Sequence, residues 1–348
     1  MALRETEGPA GAPWERPLAG ALDRLVVESE LLAGNPLGDP ARRPLYVYRP
    51  PGSGPAELPS VYVIQGYTGQ LDMWLGRSAF EPTSIERLDA LFAGGDCPPA
   101  IVVFVDAWTS RGGSQFLNSS STGRYLDYLC DEVVPFIDAS YPTAASREHR
   151  GIAGKSSGGY GAMVAPMLRP DVFGALASHA GDALFECCYL PEFPGVARAL
   201  RDHFDGSYEV FHERFAAEEH FDWSRYGTPL EMYGYACCYT PDPARPGHPL
   251  LPFEISTGRL VEDVWERWLE LDPVRMVARH GEALASMRRI YLDAGRSDEA
   301  YLDLAAQAVS AELDKIGIEH TLELFDGRHG GIAYRYPGAI RELVLALD

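Results

Sequence analysis

The sequence predicts an α/β fold: a mostly parallel central sheet flanked by helices and interrupted by one long cap-like insertion. Three observations carry this. Short all-apolar runs, at 61–64 and 101–105, have the composition of strands buried on both faces. Segments of helical period alternate with such runs, as the crossovers between parallel strands require. The string Gly154-Lys155-Ser156-Ser157-Gly158 stands between an apolar strand and a helical run, the setting of a sharp strand-to-helix turn.

In chain order, residues 1–20 are rich in Pro, Gly and Ala and read as frayed. Residues 22–32 and 44–49 alternate apolar and polar, the mark of antiparallel edge strands, and 50–55 make a Pro- and Gly-rich turn. Residues 61–64 are the next strand and 65–69 its loop. Thr83 and Glu86 form a capping box for a helix with Ile85, Leu88, Leu91 and Phe92 on one face, stopped at Gly94. Residues 101–105 read as a parallel strand, and 124–139 as a helix turning Leu126, Leu129, Val133, Phe136 and Ile137 inward. Further strands fall at 150–153, 175–179, 289–293 and 320–325, with a helix over 162–168. A helix over 299–316 buries Leu302, Ala305, Ala306, Val309 and Leu313 and stops at Gly317. From 183 to 285 the rhythm fails, apart from a helix over 261–271, and aromatic, proline and acidic residues dominate. A stretch of that length reads as a functional lid with a small core of its own. The chain so divides into a first core part, 1–182, the insertion, 183–285, and a second core part, 286–348.

The 348 residues are 46% hydrophobic and 23% charged, ordinary for a globular chain with a large core. Fifty acidic against 30 basic residues leave a formal charge of −20. That balance disfavours nucleic acid and anionic membranes as partners, and makes uncharged or cationic substrates easier to accommodate than polyanions. No run reaches membrane-spanning length, and the N-terminus lacks an apolar signal segment, so a soluble, cytoplasmic protein is expected. The six cysteines include two adjacent pairs but match no zinc spacing; free thiols and no metal or other cofactor are expected.

A serine on such a turn is pushed clear of the sheet, and glycines flank it where side chains would strike the neighbouring strand and helix. Ser156 is the expected nucleophile. Its hydroxyl needs a base to take the proton and an acid to orient that base, in the chain order Ser, acid, His. Among the histidines after Ser156, His329 alone follows a final strand within a Gly-rich turn. Asp298, in the loop after the 289–293 strand, is the favoured acid, and Asp182 is its rival. Asp293 reads as a strand end and Glu299 as a helix start. The amides of Ser157 and Tyr67 are the expected oxyanion donors. Gln65, Asp106, Trp108, Gln115, Asn118, Asp182 and Glu186 lie in loops above the sheet and are candidate substrate contacts. Lys155 reads only as the variable residue of the turn.

Several motifs together resemble one family. They are Asn35-Pro36-Leu37-Gly38-Asp39-Pro40, Gln65-Gly66-Tyr67-Thr68-Gly69, Gly112-Gly113-Ser114-Gln115-Phe116-Leu117-Asn118-Ser119, the stretch 154–162, Ala294-Gly295-x-x-Asp298 and His329-Gly330-Gly331. The chain resembles the putative-esterase family of α/β-hydrolases, which holds enterochelin-esterase-like proteins, esterase D-type formylglutathione hydrolases and mycolyltransferases. The resemblance implies an α/β-hydrolase fold, the triad Ser156, Asp298 and His329, and an oxyanion hole from Tyr67 and Ser157. Where this family often has His-Gly in the oxyanion loop, this chain has Gln65-Gly66, and the long insertion counts against formylglutathione as substrate. The expected activity is a serine carboxylic-ester hydrolase acting through an acyl-enzyme on a small or medium, uncharged or aromatic ester. An acyltransferase with an alcohol or sugar acceptor, and a non-catalytic binding protein, are the competing readings.

Overall fold

The computed structural model describes residues 17–348 apart from 53, 55 and 79; the N-terminal segment read as frayed and free of a signal, up to residue 16, lies outside the described residues. An eight-stranded sheet runs in the order β1-β2-β4-β3-β9-β10-β11-β12. Its strands are β1 (Ala21–Glu28), β2 (Arg42–Arg49), β3 (Ser60–Ile64), β4 (Ile101–Val105), β9 (Arg150–Lys155), β10 (Ala175–His179), β11 (Arg289–Gly295) and β12 (Thr321–Phe325). Two short pairs, β5 (Trp108–Thr109) with β6 (Gly112–Gly113) and β7 (Asn118–Ser119) with β8 (Gly123–Arg124), lie outside it. Pairing is antiparallel for β1–β2 and β2–β4 and parallel throughout the rest. The strands β3 and β4, apolar except for Ser60, are buried at every position, whereas the edge strand β1 alternates.

Side-chain alternation divides the core between the two sheet faces. Val61, Val63, Val102 and Phe104 meet α1 (Ser84–Ala93) and α13 (Tyr336–Leu347) on one face. Tyr62, Ile64, Val103 and Val105 join the other cluster with α4 (Ser157–Leu168) and α12 (Leu302–Lys315). The Thr83 capping box is present in full: Oγ1 accepts from Glu86 N at 3.1 Å, and Glu86 Oε2 accepts from Thr83 N at 2.8 Å.

Several boundaries differ from expectation for local reasons. β1 stops at Glu28: the amides of Glu30 and Leu31 turn to Glu132 Oε1 at 2.8 and 3.0 Å, and Asn35 then bonds residues 35–39 into a turn. The segment after Arg124 is helical as α2 (Tyr125–Asp127) and α3 (Val134–Ser140), joined by a π-turn at Tyr128–Val133 in which Val134 N reaches Leu129 O. Pro135, lacking an N–H, sits where the wide turn ends. α4 begins at Ser157, five residues earlier than read. α12 begins at Leu302, so Glu299 starts no helix: Asp298 Oδ1 caps Ala300 N at 2.9 Å and Tyr301 takes a left-handed φ of 60°.

The stretch 183–285 is helical: α5 (Phe185–Cys188), α6 (Phe193–His203), α7 (Tyr208–Ala217), α8 (Trp223–Tyr239), α9 (Glu262–Leu269), α10 (Pro273–Arg279) and α11 (Gly281–Ala285). Pro194 and Gly195 conceal α6 in the sequence, yet a proline in the first turn suits a helix, and Phe193, Val196, Ala197 and Leu200 are buried along one face. The aromatics here form no separate core. Phe185 and Tyr239 pack on Tyr160 of α4, and Trp268 packs on Tyr189 and Tyr239 with ring centroids 5.7 and 5.0 Å away. Asp272 ties the stretch to itself, accepting from Leu184 N, Phe185 N and Val274 N at 2.9–3.0 Å.

Candidate active site

Ser156 joins β9 to α4 with φ 58° and ψ −127°, a conformation rarely adopted outside glycine and costing on the order of 1–3 kcal/mol. Its N–H is held by the carbonyls of His179 (3.0 Å) and Ala180 (3.1 Å). Two glycines allow the close approach. A Cβ on Gly154 would lie 2.2 Å from Gly158 O, and one on Gly158 would lie 2.6 Å from Ile64 O and 2.7 Å from Gln65 O. The turn is thus pressed directly against the end of β3.

Loops at the C-terminal ends of β11 and β12 bring two more side chains to Ser156. His329 Nε2 lies 3.2 Å from Ser156 Oγ, and His329 Nδ1 lies 2.8 Å from Asp298 Oδ2. Asp298 has no side-chain exposure, and His329 is 26% exposed. The loop carrying His329 is further held by its N–H on Glu299 Oε2 at 2.9 Å. Hydroxyl, imidazole and buried carboxylate thus stand in one hydrogen-bonded line.

The 65–69 loop runs beside the serine: a Cβ on Gly66 would be 3.2 Å from Lys155 O and 3.6 Å from Ser156 Cβ. Tyr67 anchors that loop with a buried ring whose hydroxyl meets Leu230 O at 2.8 Å, and Ser157 opens α4. Asp182 lies on another side of Ser156, with Oδ1 3.5 Å from Ser156 Oγ. Its Oδ2 accepts from Tyr189 OH (2.8 Å), Ser157 Oγ (3.1 Å) and Gln115 Nε2 (3.3 Å). Burial pushes the Asp182 carboxyl upward in pKa, opposed by the bonds from Tyr189 and Gln115 and by His329. The structure thus sets Asp298 on the imidazole and Asp182 on the serine turn.

Of the other candidate contacts, Gln115 belongs to the Asp182 network and also donates to Tyr239 OH at 2.7 Å. Gln65 is buried at the start of the 65–69 loop. Asp106 is buried with Arg43 at 3.5 Å, and the Trp108 carbonyl accepts from the same guanidinium. Asn118 Oδ1 accepts from Asp127 N at 3.1 Å, and Glu186 pairs with Arg275. These last four are engaged away from Ser156.

Two cavities meet at the serine. The first, about 490 Å³, is lined by Asp182, Tyr189, Glu192, Met232, Tyr235 and Tyr301. The second, about 370 Å³, is lined by Gly66, Tyr67, Met73, Trp74, Lys155, Trp223 and Tyr336. Ser156, Glu231 and His329 border both. Lys155 thus lines the site, its pKa lowered by burial against the pull of Asp298, Asp182 and Glu299. Glu231, which sequence reading passed over, has its pKa pushed up to about 8 by burial and by Asp182 and Glu192. A signal existed: it is the lone charged residue between Arg225 and Asp242. Among the described residues no group of three or more His, Cys, Asp or Glu is arranged to hold a metal ion, and the six cysteines are free. No described helix is long and apolar enough to cross a membrane.

Residues 40–335 match the family described as "Putative esterase". An "Endo-1,4-beta-xylanase/feruloyl esterase" of Xylanibacter ruminicola is 30% identical over 119 residues, 34% of this chain and 16% of that relative. The chain therefore matches only a small part of that protein. A solved ferulic acid esterase superposes with a TM-score of 0.58 at 17% identity, covering 94% of this chain and 98% of the other. An S-formylglutathione hydrolase from Agrobacterium tumefaciens superposes with a TM-score of 0.59 at 15% identity, covering 96% and 98%. At these identities the likeness is one of fold, that of the α/β-hydrolase esterases.

Proposed function

The chain belongs to this esterase family, and we propose that it is a serine carboxylic-ester hydrolase working through Ser156, His329 and Asp298. The observation that carries the reading is the continuous contact from Ser156 Oγ through the His329 ring to Asp298, at 3.2 and 2.8 Å.

As Ser156 Oγ attacks the ester carbonyl, His329 Nε2 takes its proton, and Asp298 keeps the Nδ1–H tautomer and stabilises the imidazolium. The carbonyl oxygen gathers charge and is met by the N–H groups of Tyr67 and Ser157, each worth about 3–4 kcal/mol in the transition state. The carbon–oxygen bond to the alcohol then breaks, His329 returns the proton to the departing alkoxide, and the acyl group remains on Ser156. Water gives its proton to His329, attacks the acyl carbon, and the acid leaves as Ser156 recovers its hydrogen. Asp182 acts on this machinery as a positioning residue, fixing the Ser157 hydroxyl and the turn. The two cavities suit a small or medium ester, with Trp74, Trp223 and Tyr336 around an uncharged or aromatic part.

The test is turnover of p-nitrophenyl esters of increasing acyl length, with feruloyl and cyclic esters added, by the protein and by Ser156→Ala. Hydrolysis that vanishes in the variant supports the reading. Ester products formed only when an alcohol or sugar acceptor is added point to acyl transfer. Absence of any turnover by folded protein refutes the esterase reading.

A further inference from the structure

The first cavity has an uneven charge that ester hydrolysis alone does not require. Its walls carry the carboxyl groups of four acidic residues, Asp182, Glu192, Glu231 and Glu299, and no lysine or arginine. Two of these are already engaged: Asp182 within its hydrogen-bond network, and Glu299 with His329 N and Arg328. Glu231 and Glu192 have no hydrogen-bond or ion-pair partner for their carboxyl groups among the described residues. Glu231 is half-buried and lines both cavities beside Ser156; Glu192 is exposed and lines the first. A bound cation would pair with the Glu231 carboxyl and relieve its repulsion from Asp182 and Glu192 on the same wall.

The remaining wall shows what kind of charge fits. Tyr189 and Tyr235 lie with ring centroids 4.8 Å apart beside the carboxylates, and Met232 adds a soft apolar surface. Carboxyl groups beside an aromatic and thioether wall suit an alkylated or primary ammonium, by ion pairing together with apolar contact for its alkyl groups. A cavity of about 490 Å³, with no described cluster tight enough for a metal ion, suits a bulky organic cation. The second cavity differs, with Lys155 and a largely aromatic and apolar lining.

We propose that the cavity of Glu231, Glu192, Tyr189 and Tyr235 is a subsite for an organic ammonium group carried by the ester substrate on one side of the scissile bond. The inference rests on the serine-esterase reading and names its substrate class.

The test uses two isosteric pairs. One is p-nitrophenyl 4-(trimethylammonio)butanoate against p-nitrophenyl 5,5-dimethylhexanoate, with the cation on the acyl side. The other is acetylcholine against 3,3-dimethylbutyl acetate, with the cation on the alcohol side. The expected result is at least a tenfold higher kcat/KM for the cationic member of one pair. That ratio should fall towards one in Glu231→Gln and decrease in Glu192→Gln, whose exposed position makes loss of the fold no explanation. Equal kcat/KM within both pairs, with turnover still dependent on Ser156, overturns the subsite and leaves the esterase reading standing. Hydrolysis of none of the four by folded protein overturns the esterase reading and the subsite together.

Discussion

Asp298→Asn separates the two acids that flank Ser156. Asparagine keeps the shape and the Oδ1 acceptor that holds Ala300 N at 2.9 Å, so the loop after β11 should keep its form. What changes is the 2.8 Å contact with His329 Nδ1. An amide NH₂ there donates to Nδ1, which forces the hydrogen onto Nε2, the atom 3.2 Å from Ser156 Oγ. That tautomer cannot accept the serine proton. In the serine-protease template the equivalent change lowers kcat about 10⁴-fold, which is about 5.5 kcal/mol of barrier. Asp182→Asn leaves the tautomer alone and exchanges one acceptor in a bonded network, a change of about 1–2 kcal/mol, or roughly tenfold. Steady-state kinetics on a p-nitrophenyl ester, with circular dichroism to establish folding, measure both. A fall of about 10³-fold or more for Asp298→Asn beside about tenfold for Asp182→Asn is expected. The reverse order would refute the assignment of the acid.

Three other outcomes are expected. Gly158→Ala places a Cβ within 2.6–2.7 Å of the Ile64 and Gln65 carbonyls, so it should cost about 1–3 kcal/mol in thermal unfolding and about 10²-fold in kcat/KM; wild-type kinetics would contradict the packing argument. Glu231 keeps its proton to about pH 8 when folded against an ordinary 4.5, so the folded state holds the extra proton and stability is lost as pH rises across that window. Glu231→Gln should therefore raise the melting temperature at pH 9, with a gain narrowing towards pH 5, and an equal gain at both pH values would refute it. Arg335→Met leaves the buried Asp293 carboxylate without its 2.9 Å guanidinium partner and with His179 and Tyr291 as its side-chain hydrogen-bond partners among the described residues. Unfolding should register a loss of about 3 kcal/mol, and an unchanged melting temperature would show that the partner is dispensable.

The parts of this fold legible in the sequence are those whose signals are local. Period-2 and all-apolar runs located the sheet, the Thr83–Glu86 pair located α1, and the glycines around Ser156 marked the turn that β9 and α4 share. The loops holding Asp298 and His329 could be found because each follows a clear strand, and the structure brings both to Ser156. What escaped depends on packing between distant segments. α13 opens with Tyr336-Pro337-Gly338, which looks like a break although the proline occupies the permissive first turn. α8 contains Pro229, Gly227 and Gly234, and its helix is secured by burial against the 65–69 loop and the core. Glu231 gains its setting only when α8 lies across Ser156, so its residue type alone could not reveal it. Asp106, Trp108, Asn118 and Glu186 occupy loops of the expected kind, yet each meets a partner that composition does not disclose.

The most direct measurement is the site of reaction with a fluorophosphonate, read by mass spectrometry of the intact protein and its peptides. A single stoichiometric adduct on the peptide containing Ser156, absent in Ser156→Ala and strongly slowed in His329→Ala, is the predicted result. An adduct on another residue, or none on folded protein, would contradict nucleophilic catalysis by Ser156.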